Sequence, residues 1–241
     1  MKKWINFFQN YRNVPINDDS DLLYQVALTV SGKPISKDLF NCIISDINYN
    51  LKLNNSDNLM DLCCGNGVIT YEISKKVKTI TGIDSSELYI ENAKKYKKSK
   101  STEYILMDII DIDTIDTIYS QKFTKVLFYG SVAYFDKKEL TIILGKLYNL
   151  TTDDVIIVIG SVLDFSKRYN FYNTLGRKCQ YLFNNLLNKD FGLGNWWKQD
   201  VLLEICNEQG YNCTFLAQNP LLNTAHYRFD CILTKNKIPG I

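Results

Sequence analysis

The 241-residue sequence predicts an α/β protein with a doubly wound, mostly parallel sheet of seven strands. Short apolar runs alternate with helical patterns across residues 54–160, which favours parallel strands joined by right-handed crossovers. The run at residues 155–159 is continuously apolar, as in a strand covered by helices on both faces. A content of 46% hydrophobic and 22% charged residues is typical of a globular domain with a full core.

The first 53 residues predict an N-terminal helical cap on this sheet. Residues 20–53 carry two helical patterns, which are interrupted around Gly32 and Pro34. In the second pattern, apolar residues recur at helical spacing between positions 39 and 47. The second helix is therefore expected to bury that face against the rest of the domain.

The alternating region, residues 54–160, predicts five strands and the helices between them. The strands are expected at residues 58–62, 79–84, 104–107, 125–129 and 155–159. Helices are expected at residues 68–77, 86–97 and 137–150. This pattern is Rossmann-like, and such sheets bind ligands at the carboxyl ends of their strands.

The rest of the single domain departs from this alternation. Residues 161–197 are polar and aromatic with few strand signals, which predicts a helical lid inserted beside the ligand site. Residues 198–241 predict one last helix, ending at Gly210, and two strands at 213–216 and 227–233. Their connection is too short for a helical crossover, so the seventh strand is expected to run antiparallel to the sixth.

The strongest functional signal is the turn Asp61–Gly67, which follows the first strand. Its glycines let the backbone turn sharply and approach a ligand. Asp84 ends the second strand 17 residues after Gly67, where a carboxylate can accept both ribose hydroxyls of a nucleoside. A dinucleotide motif would need a glycine at Thr70, and the Asp61 carboxylate would repel a pyrophosphate. The same carboxylate suits the ammonium of a methionyl group, which favours S-adenosylmethionine over NAD.

With these residues on view, the sequence resembles the class I S-adenosylmethionine-dependent methyltransferases over about residues 20–235. The family consensus D-L-G-C-G-x-G lies over Asp61–Gly67, with Cys63 in place of the first glycine. The motif and the resemblance together predict these cofactor contacts: Gln25, Thr29, Asp61, Cys63, Gly65, Gly67, Asp84, Ser85, Met107, Asp108, Ile109, Tyr129, Gly130 and Ser131.

The resemblance also implies what each group of contacts does. Met107, Asp108 and Ile109 follow the third strand, where the family places its adenine pocket. The segment 129–131 follows the fourth strand, where the family flanks the sulfonium. Residues 24–29 resemble a segment that folds over the methionyl end in some relatives.

The acceptor is expected to be a small molecule bound by residues 1–35, 165–197 and 218–225. These segments are rich in Tyr, Phe, Trp and Asn, which make a closed, amphipathic pocket. The alternative is that these aromatic residues only pack a helical lid. Arg168 and Arg228 are candidates to hold an acceptor phosphate, or equally to form surface ion pairs. The predicted acceptor residues are Tyr11, Arg168, Trp197 and Arg228.

His226, the only histidine, is the candidate general base because it begins the seventh strand at the cofactor edge. Alternatively it only anchors that strand, and Tyr134 or simple alignment of the acceptor replaces the base. Residues 225–230 resemble a stretch in methyltransferases of bacterial surface-polysaccharide (capsule or lipopolysaccharide) pathways. That resemblance implies O-methylation of a sugar or nucleotide-linked precursor.

The composition also bears on nucleic-acid binding, metal binding and cellular location. A net charge of +2 gives no reason to expect nucleic acid, although an RNA methyltransferase and a cofactor-binding protein without turnover remain alternatives. Seven cysteines without a C-x-x-C pair, and one histidine, predict no metal. Neither a signal peptide nor a membrane span is expected, so a cytoplasmic location is predicted. The oligomeric state stays open.

Overall fold

The structure, a computed structural model, describes residues 11–117, 121–186 and 194–236. Its N-terminal part contains helix α1 (Asp19–Gln25), a small antiparallel hairpin (Thr29–Val30 with Lys33–Pro34) and helix α2 (Lys37–Leu51). Helix α1 begins because the Asp18 carboxylate accepts hydrogen bonds from the backbone N–H groups of Ser20 and Asp21. The predicted interruption between the two helices is this hairpin.

The seven predicted strands form one sheet. They are β1 (Asn58–Leu62), β2 (Thr79–Asp84), β3 (Thr102–Leu106), β4 (Phe123–Tyr129), β5 (Thr151–Leu163), β6 (Tyr211–Ala217) and β7 (Arg228–Lys235). Their order is β3-β2-β1-β4-β5-β7-β6, and β7 pairs antiparallel with both of its neighbours. The predicted fold class is therefore confirmed. Strand β5 runs to Leu163, so the expected boundary of the lid at residue 160 falls inside a strand.

Helices cover both faces of this sheet. They are α3 (Val68–Ser74), α4 (Glu87–Tyr96), α5 (Lys137–Leu150), α6 (Arg168–Phe171), α7 (Leu175–Leu186) and α8 (Gln199–Glu208). Successive strand residues point to opposite faces, so Leu59 packs in the layer that holds α2 and α3, while Met60 packs with α5 and α8. Both side chains are 0% exposed. Because both faces are buried, polar chemistry is confined to the strand ends.

The described part of the predicted lid is helical, with a short 3₁₀ turn followed by α6 and α7. It packs on the domain through aromatic rings. The Phe171 ring centroid lies 5.1 Å from that of Tyr227 and 6.1 Å from that of Trp196. The lid therefore contacts the loop before β7 through side chains distant in sequence.

Candidate active site

A single cavity lies where β1, β2, β4 and β5 end and β7 begins. Of the residues predicted to bind cofactor or acceptor, nine line it: Cys63, Gly65, Asp84, Ser85, Tyr129, Gly130, Ser131, Tyr134 and Arg228. Nine further lining residues were not predicted: Val26, Ala27, Leu28, Cys64, Val68, Ile69, Tyr89, Phe135 and Ser161. The cavity thus contains the ends of five strands and one N-terminal segment.

The turn after β1 depends on left-handed backbone conformations. Gly65 and Gly67 have φ angles of +57° and +76°. A Cβ atom on Gly67 would lie 2.6 Å from Tyr104 Oη, and one on Gly65 would lie 2.9 Å from Val26 Cγ1. Cys63, in the place of the family's first glycine, also has a positive φ of +54°. A side chain in that region is strained by about 1–3 kcal/mol, so Cys63 adopts a backbone conformation that glycine would adopt more easily.

Asp84 joins the end of β2 to this turn. Its Oδ2 accepts the N–H of Gly65 at 2.9 Å, and its Oδ1 accepts the N–H of Ser86 at 2.9 Å. The side chain is only 8% exposed, and burial raises the pKa of Asp84 to about 6. Each carboxylate oxygen has a second lone pair, so Asp84 can also accept ribose hydroxyl groups from the cavity.

Asp61 is not among the residues that line the cavity, so its predicted contact with a methionyl ammonium stays a prediction. The carboxylate is 3% exposed and accepts the Thr70 hydroxyl at 2.6 Å. Burial raises the pKa of Asp61 to about 7. Thr70, where a dinucleotide motif would have glycine, therefore ties β1 to α3 behind the turn. Gly67 likewise lies outside the cavity and begins α3.

The N-terminal segment reaches the cavity, but through residues other than the predicted pair. Val26, Ala27 and Leu28 line it, and Ala27 has a φ of +60°. Gln25 is fully buried, where its Oε1 accepts N–H groups from Asn66 at 2.9 Å and Asn92 at 3.1 Å. Gln25 thus fastens the segment to the turn. Thr29 is half-buried in the hairpin and does not line the cavity.

The three residues predicted for the adenine pocket lie beside Asp84 but outside the lining of the cavity. The Met107 N–H donates to the Asp84 carbonyl oxygen at 3.0 Å. The Asp108 Oδ1 accepts the N–H of Ile110 at 2.9 Å, and Ile109 is a core residue with 2% exposure. Asp108 therefore begins a 3₁₀ segment, and an adenine contact by these residues stays a prediction.

The far end of the cavity carries hydroxyl groups and one cation. Burial raises the pKa of Tyr134, while the nearby Arg228 acts in the opposite direction. The Arg228 Nη1 donates to the carbonyl oxygen of Ser161 at 3.0 Å and to its Oγ at 2.8 Å. Ser161 has a φ of +63°, and the pairing of β5 with β7 shifts register at this position. This end therefore depends on contacts between β5 and β7.

A family model described as a methyltransferase domain matches residues 53–210, which include Asp84, Tyr134 and Ser161 of the cavity but not Arg228. The chain belongs to the methyltransferase domain family. This finding confirms the resemblance to S-adenosylmethionine-dependent methyltransferases.

Solved structures show that this methyltransferase shares its fold with distant relatives. A DhpI complex with S-adenosylhomocysteine is 10% identical and has a TM-score of 0.64, with 98% of this chain and 97% of that chain covered. Magnesium protoporphyrin IX methyltransferase from Synechocystis PCC 6803 is 12% identical and has a TM-score of 0.62, with 98% of this chain and 99% of that chain covered. An S-adenosylmethionine-dependent methyltransferase from Anabaena variabilis ATCC 29413 is 16% identical and has a TM-score of 0.62, with 93% of this chain and 96% of that chain covered. No curated protein sequence matches the chain.

His226 lies outside the cavity of the methyltransferase. Its side chain is exposed, and its ring packs edge-on against Tyr227 with centroids 4.8 Å apart. Its carbonyl oxygen accepts the Asn170 Nδ2–H at 2.6 Å, a contact between the lid and the loop before β7. The structure thus supports the anchoring alternative for His226. Arg228, two residues further on, lines the cavity instead.

Three predicted acceptor residues also lie elsewhere. Trp197 is 5% exposed, and its Nε1–H donates to the Val132 carbonyl oxygen at 3.3 Å, so it packs the core. Arg168 donates to the Phe165 carbonyl oxygen at 2.6 Å and stacks on that ring at 4.0 Å. Tyr11 does not line the cavity, although it contributes to the raised pKa of Tyr134. An acceptor contact by Arg168 or Trp197 would require the lid to move.

The described residues show neither a metal-binding cluster nor a membrane-spanning helix. Within residues 11–117, 121–186 and 194–236, no cluster of three or more His, Cys, Asp or Glu side chains is placed to hold a metal ion. Among the helices of these ranges, none is long and apolar enough to cross a membrane. The predicted independence from metal remains open to experiment.

Proposed function

We propose that this methyltransferase transfers the methyl group of S-adenosylmethionine to a hydroxyl of a small polar metabolite. A sugar or a nucleotide-linked, phosphorylated precursor of a surface polysaccharide is the acceptor class that the resemblance of residues 225–230 favours. The observation that carries the proposal is the cavity itself. At one end lies Asp84, a carboxylate placed to accept ribose hydroxyl groups of a nucleoside. At the other end lie the polar side chains of Ser131, Tyr134 and Arg228.

The residues present fit S-adenosylmethionine. Asp84 has lone pairs directed to ribose hydroxyls, and the turn at Gly65 brings backbone close to the cavity without a side chain. Val68 and Ile69 add apolar surface beside it. Related folds in complex with S-adenosylhomocysteine and with S-adenosylmethionine support this cofactor. When bound, the cofactor supplies a methyl group on a positively charged sulfur.

The protein contributes alignment at the acceptor end. The raised pKa of Tyr134 keeps its hydroxyl protonated at neutral pH, so Tyr134 positions the acceptor oxygen by a hydrogen bond and does not remove its proton. Ser131 offers a second hydroxyl group beside it. The proton released on methyl transfer passes to water, because among the described lining residues none is a histidine or a lysine and the one carboxylate, Asp84, lies at the cofactor end.

An assay of S-adenosylhomocysteine release tests this function. The panel contains neutral sugars, sugar phosphates, nucleotide sugars and an RNA oligonucleotide. We expect release with a sugar-type acceptor and a lower kcat for Tyr134→Phe, whereas Tyr49→Phe at an 82% exposed position serves as the unchanged control. Transfer to RNA alone, or cofactor binding without transfer to any hydroxyl compound, would contradict the proposal.

A further inference from the structure

We propose that Arg228 binds an oxyanion of the acceptor, a carboxylate or a phosphate, at the end of the cavity opposite Asp84. The inference rests on the proposed methyl transfer and specifies the acceptor class for the same site. It states that the acceptor carries a negative charge, whereas the fold alone does not determine which acceptor binds.

The order of the strands separates Arg228 from the cofactor. Asp84 ends β2 and Arg228 begins β7, four strand positions further along the sheet. At about 4.8 Å per strand the two positions are roughly 19 Å apart. A cofactor whose ribose contacts Asp84 would be held further along the cavity by Cys63 and Ser131, which line it at the ends of β1 and β4. Arg228 therefore lies on the acceptor side of the methyl group.

The guanidinium of Arg228 keeps unused hydrogen-bonding capacity. Both of its bonds to Ser161 come from Nη1, while Nε is buried without a hydrogen-bond partner. In the part of the chain that the structure describes, no ion pair joins Arg228 to a carboxylate. A buried donor without a partner is unfavourable, and a planar guanidinium matches an oxyanion with two parallel N–H groups. The donor set thus fits an anionic ligand.

The buried Asp230 interacts electrostatically with Arg228, but no ion pair joins the two among the described residues. Asp230 is 7% exposed, and its Oδ1 accepts the Ser161 N–H at 2.7 Å and the Gln218 Nε2–H at 3.1 Å. Asp230 is thereby held by the bulge and by the loop before β7. Of the described residues that line the cavity, only Asp84 and Arg228 are charged, so Arg228 is the one charged side chain that lines the acceptor end.

The strained backbone at Ser161 helps to position the Arg228 side chain. A serine with a φ of +63° is in the left-handed region, and the bulge there interrupts the pairing of β5 with β7 between Ile159 and Val162. Bulges redirect side chains, and strain of this kind persists where surrounding contacts maintain it. Both acceptor atoms of Ser161 bind the same nitrogen, which fixes the guanidinium with its other N–H groups uncommitted.

This charge also selects against another acceptor class. The cofactor brings a positive sulfur into a cavity that already holds Arg228. A cationic amine acceptor would meet repulsion from both groups at short range, in a site of low exposure. An anionic acceptor is attracted by both. The charge pattern therefore disfavours a cationic acceptor.

Titration of the protein saturated with S-adenosylhomocysteine tests this inference, with inorganic phosphate and acetate as probes at constant ionic strength. We expect saturable binding of at least one probe by calorimetry, and the probe that binds more tightly separates phosphate from carboxylate as the natural group. Arg228→Gln should weaken that binding by about tenfold or more and leave affinity for S-adenosylhomocysteine unchanged. Arg177→Gln, at an exposed arginine outside the cavity, should bind the probe like wild type.

Two further variants keep the test decisive. Arg228→Lys preserves the charge and the fold but loses the planar donor pair, so it should bind the probe with intermediate affinity. Ser161→Gly relieves the backbone strain and removes one acceptor of Nη1, so it should weaken probe binding without lowering the melting temperature.

Equal probe binding by wild type and Arg228→Gln would overturn the inference and leave methyl transfer standing. A loss of S-adenosylhomocysteine affinity in Arg228→Gln that matches the loss of probe would also overturn it, because Arg228 would then bind the cofactor carboxylate. Failure of the wild type to bind S-adenosylhomocysteine would instead contradict the proposed function, and this inference with it.

Discussion

The two ends of the cavity are built differently. The cofactor end is held by backbone groups within residues 61–84, where the Gly65 N–H binds Asp84 directly. The acceptor end joins Tyr134, Ser161 and Arg228, which come from three separate parts of the chain. Cys63 at the cofactor end and Ser161 at the acceptor end are both non-glycine residues with a positive φ that line the cavity, as is Ala27 of the N-terminal segment. A short local motif therefore specifies the first end, whereas the pairing of β5 with β7 specifies the second.

The largest effect is expected from the turn at the cofactor end. Gly67→Ala places a Cβ atom against Tyr104 at a φ of +76°, so strain and overpacking together should cost about 2–4 kcal/mol of unfolding free energy. Gly32→Ala is the matched control, because Gly32 has a φ of +78° with no atom near its Cβ position. It should cost about 1–2 kcal/mol. Equal losses in urea denaturation would show that contact with Tyr104 is unimportant.

The next effect concerns pH at the same end. Burial raises the pKa of Asp84 to about 6. A protonated carboxyl accepts fewer hydrogen bonds, so affinity for S-adenosylhomocysteine should fall by up to about tenfold between pH 6 and pH 5. The fold should tolerate this range, because a carboxyl with a raised pKa destabilises the folded state above pH 6 and ceases to do so as pH falls towards 4.

Calorimetry across this range checks the pH prediction, with Asp84→Asn as the control whose affinity should not vary with Asp84 protonation. An identical pH dependence in that variant would assign the titration to another group, such as the buried Asp61, whose pKa is about 7.

A smaller effect is expected from His226 at the acceptor end. Because its side chain is exposed outside the cavity, His226→Asn should keep most of its single-turnover rate and lower the melting temperature slightly. Loss of a general base would instead cost about 10²–10⁴ in rate. A loss of that size in a stable variant, with a wild-type rate that falls below about pH 6–7, would restore His226 as the base.

No effect is expected from removal of metal. Methyl transfer in EDTA should proceed at the untreated rate, since the predicted chemistry needs only the cofactor, the acceptor and the side chains at the acceptor end. Loss of activity that Mg²⁺ restores would show that carboxylates of the chain bind a metal during turnover.

Much of the cofactor end was predictable because its signals are local. The strand–turn–helix order around Gly65 and the acid at Asp84 are readable within one segment of sequence, and the structure places both at the cavity. The fold was predictable for the same reason, since hydrophobic periodicity marks each strand and helix separately. At Asp61, the sequence shows that an acid ends β1 but does not show that the Thr70 hydroxyl binds its carboxylate.

The acceptor end was predictable only in part. Arg228 was identified as a candidate to hold an acceptor phosphate, but Ser161 lies within an extended strand and nothing in the sequence marks the bulge. Sequence placed His226 at the correct edge of the sheet, and the direction of its side chain was decided by packing against Tyr227. Trp197 was assigned to the acceptor because the sequence does not distinguish an aromatic residue that faces a ligand from one that packs in the core.

Binding of S-adenosylhomocysteine to wild type, Asp84→Ala and Glu87→Gln tests the assignment of this cavity most directly. Glu87 is exposed in the first turn of α4, so its variant controls for the loss of one negative charge nearby. We predict a binding free energy on the order of 8 kcal/mol for wild type. Asp84→Ala should lose about 1–3 kcal/mol of it, and Glu87→Gln should lose almost none. No binding by wild type, or equal affinity in Asp84→Ala, would contradict the assignment.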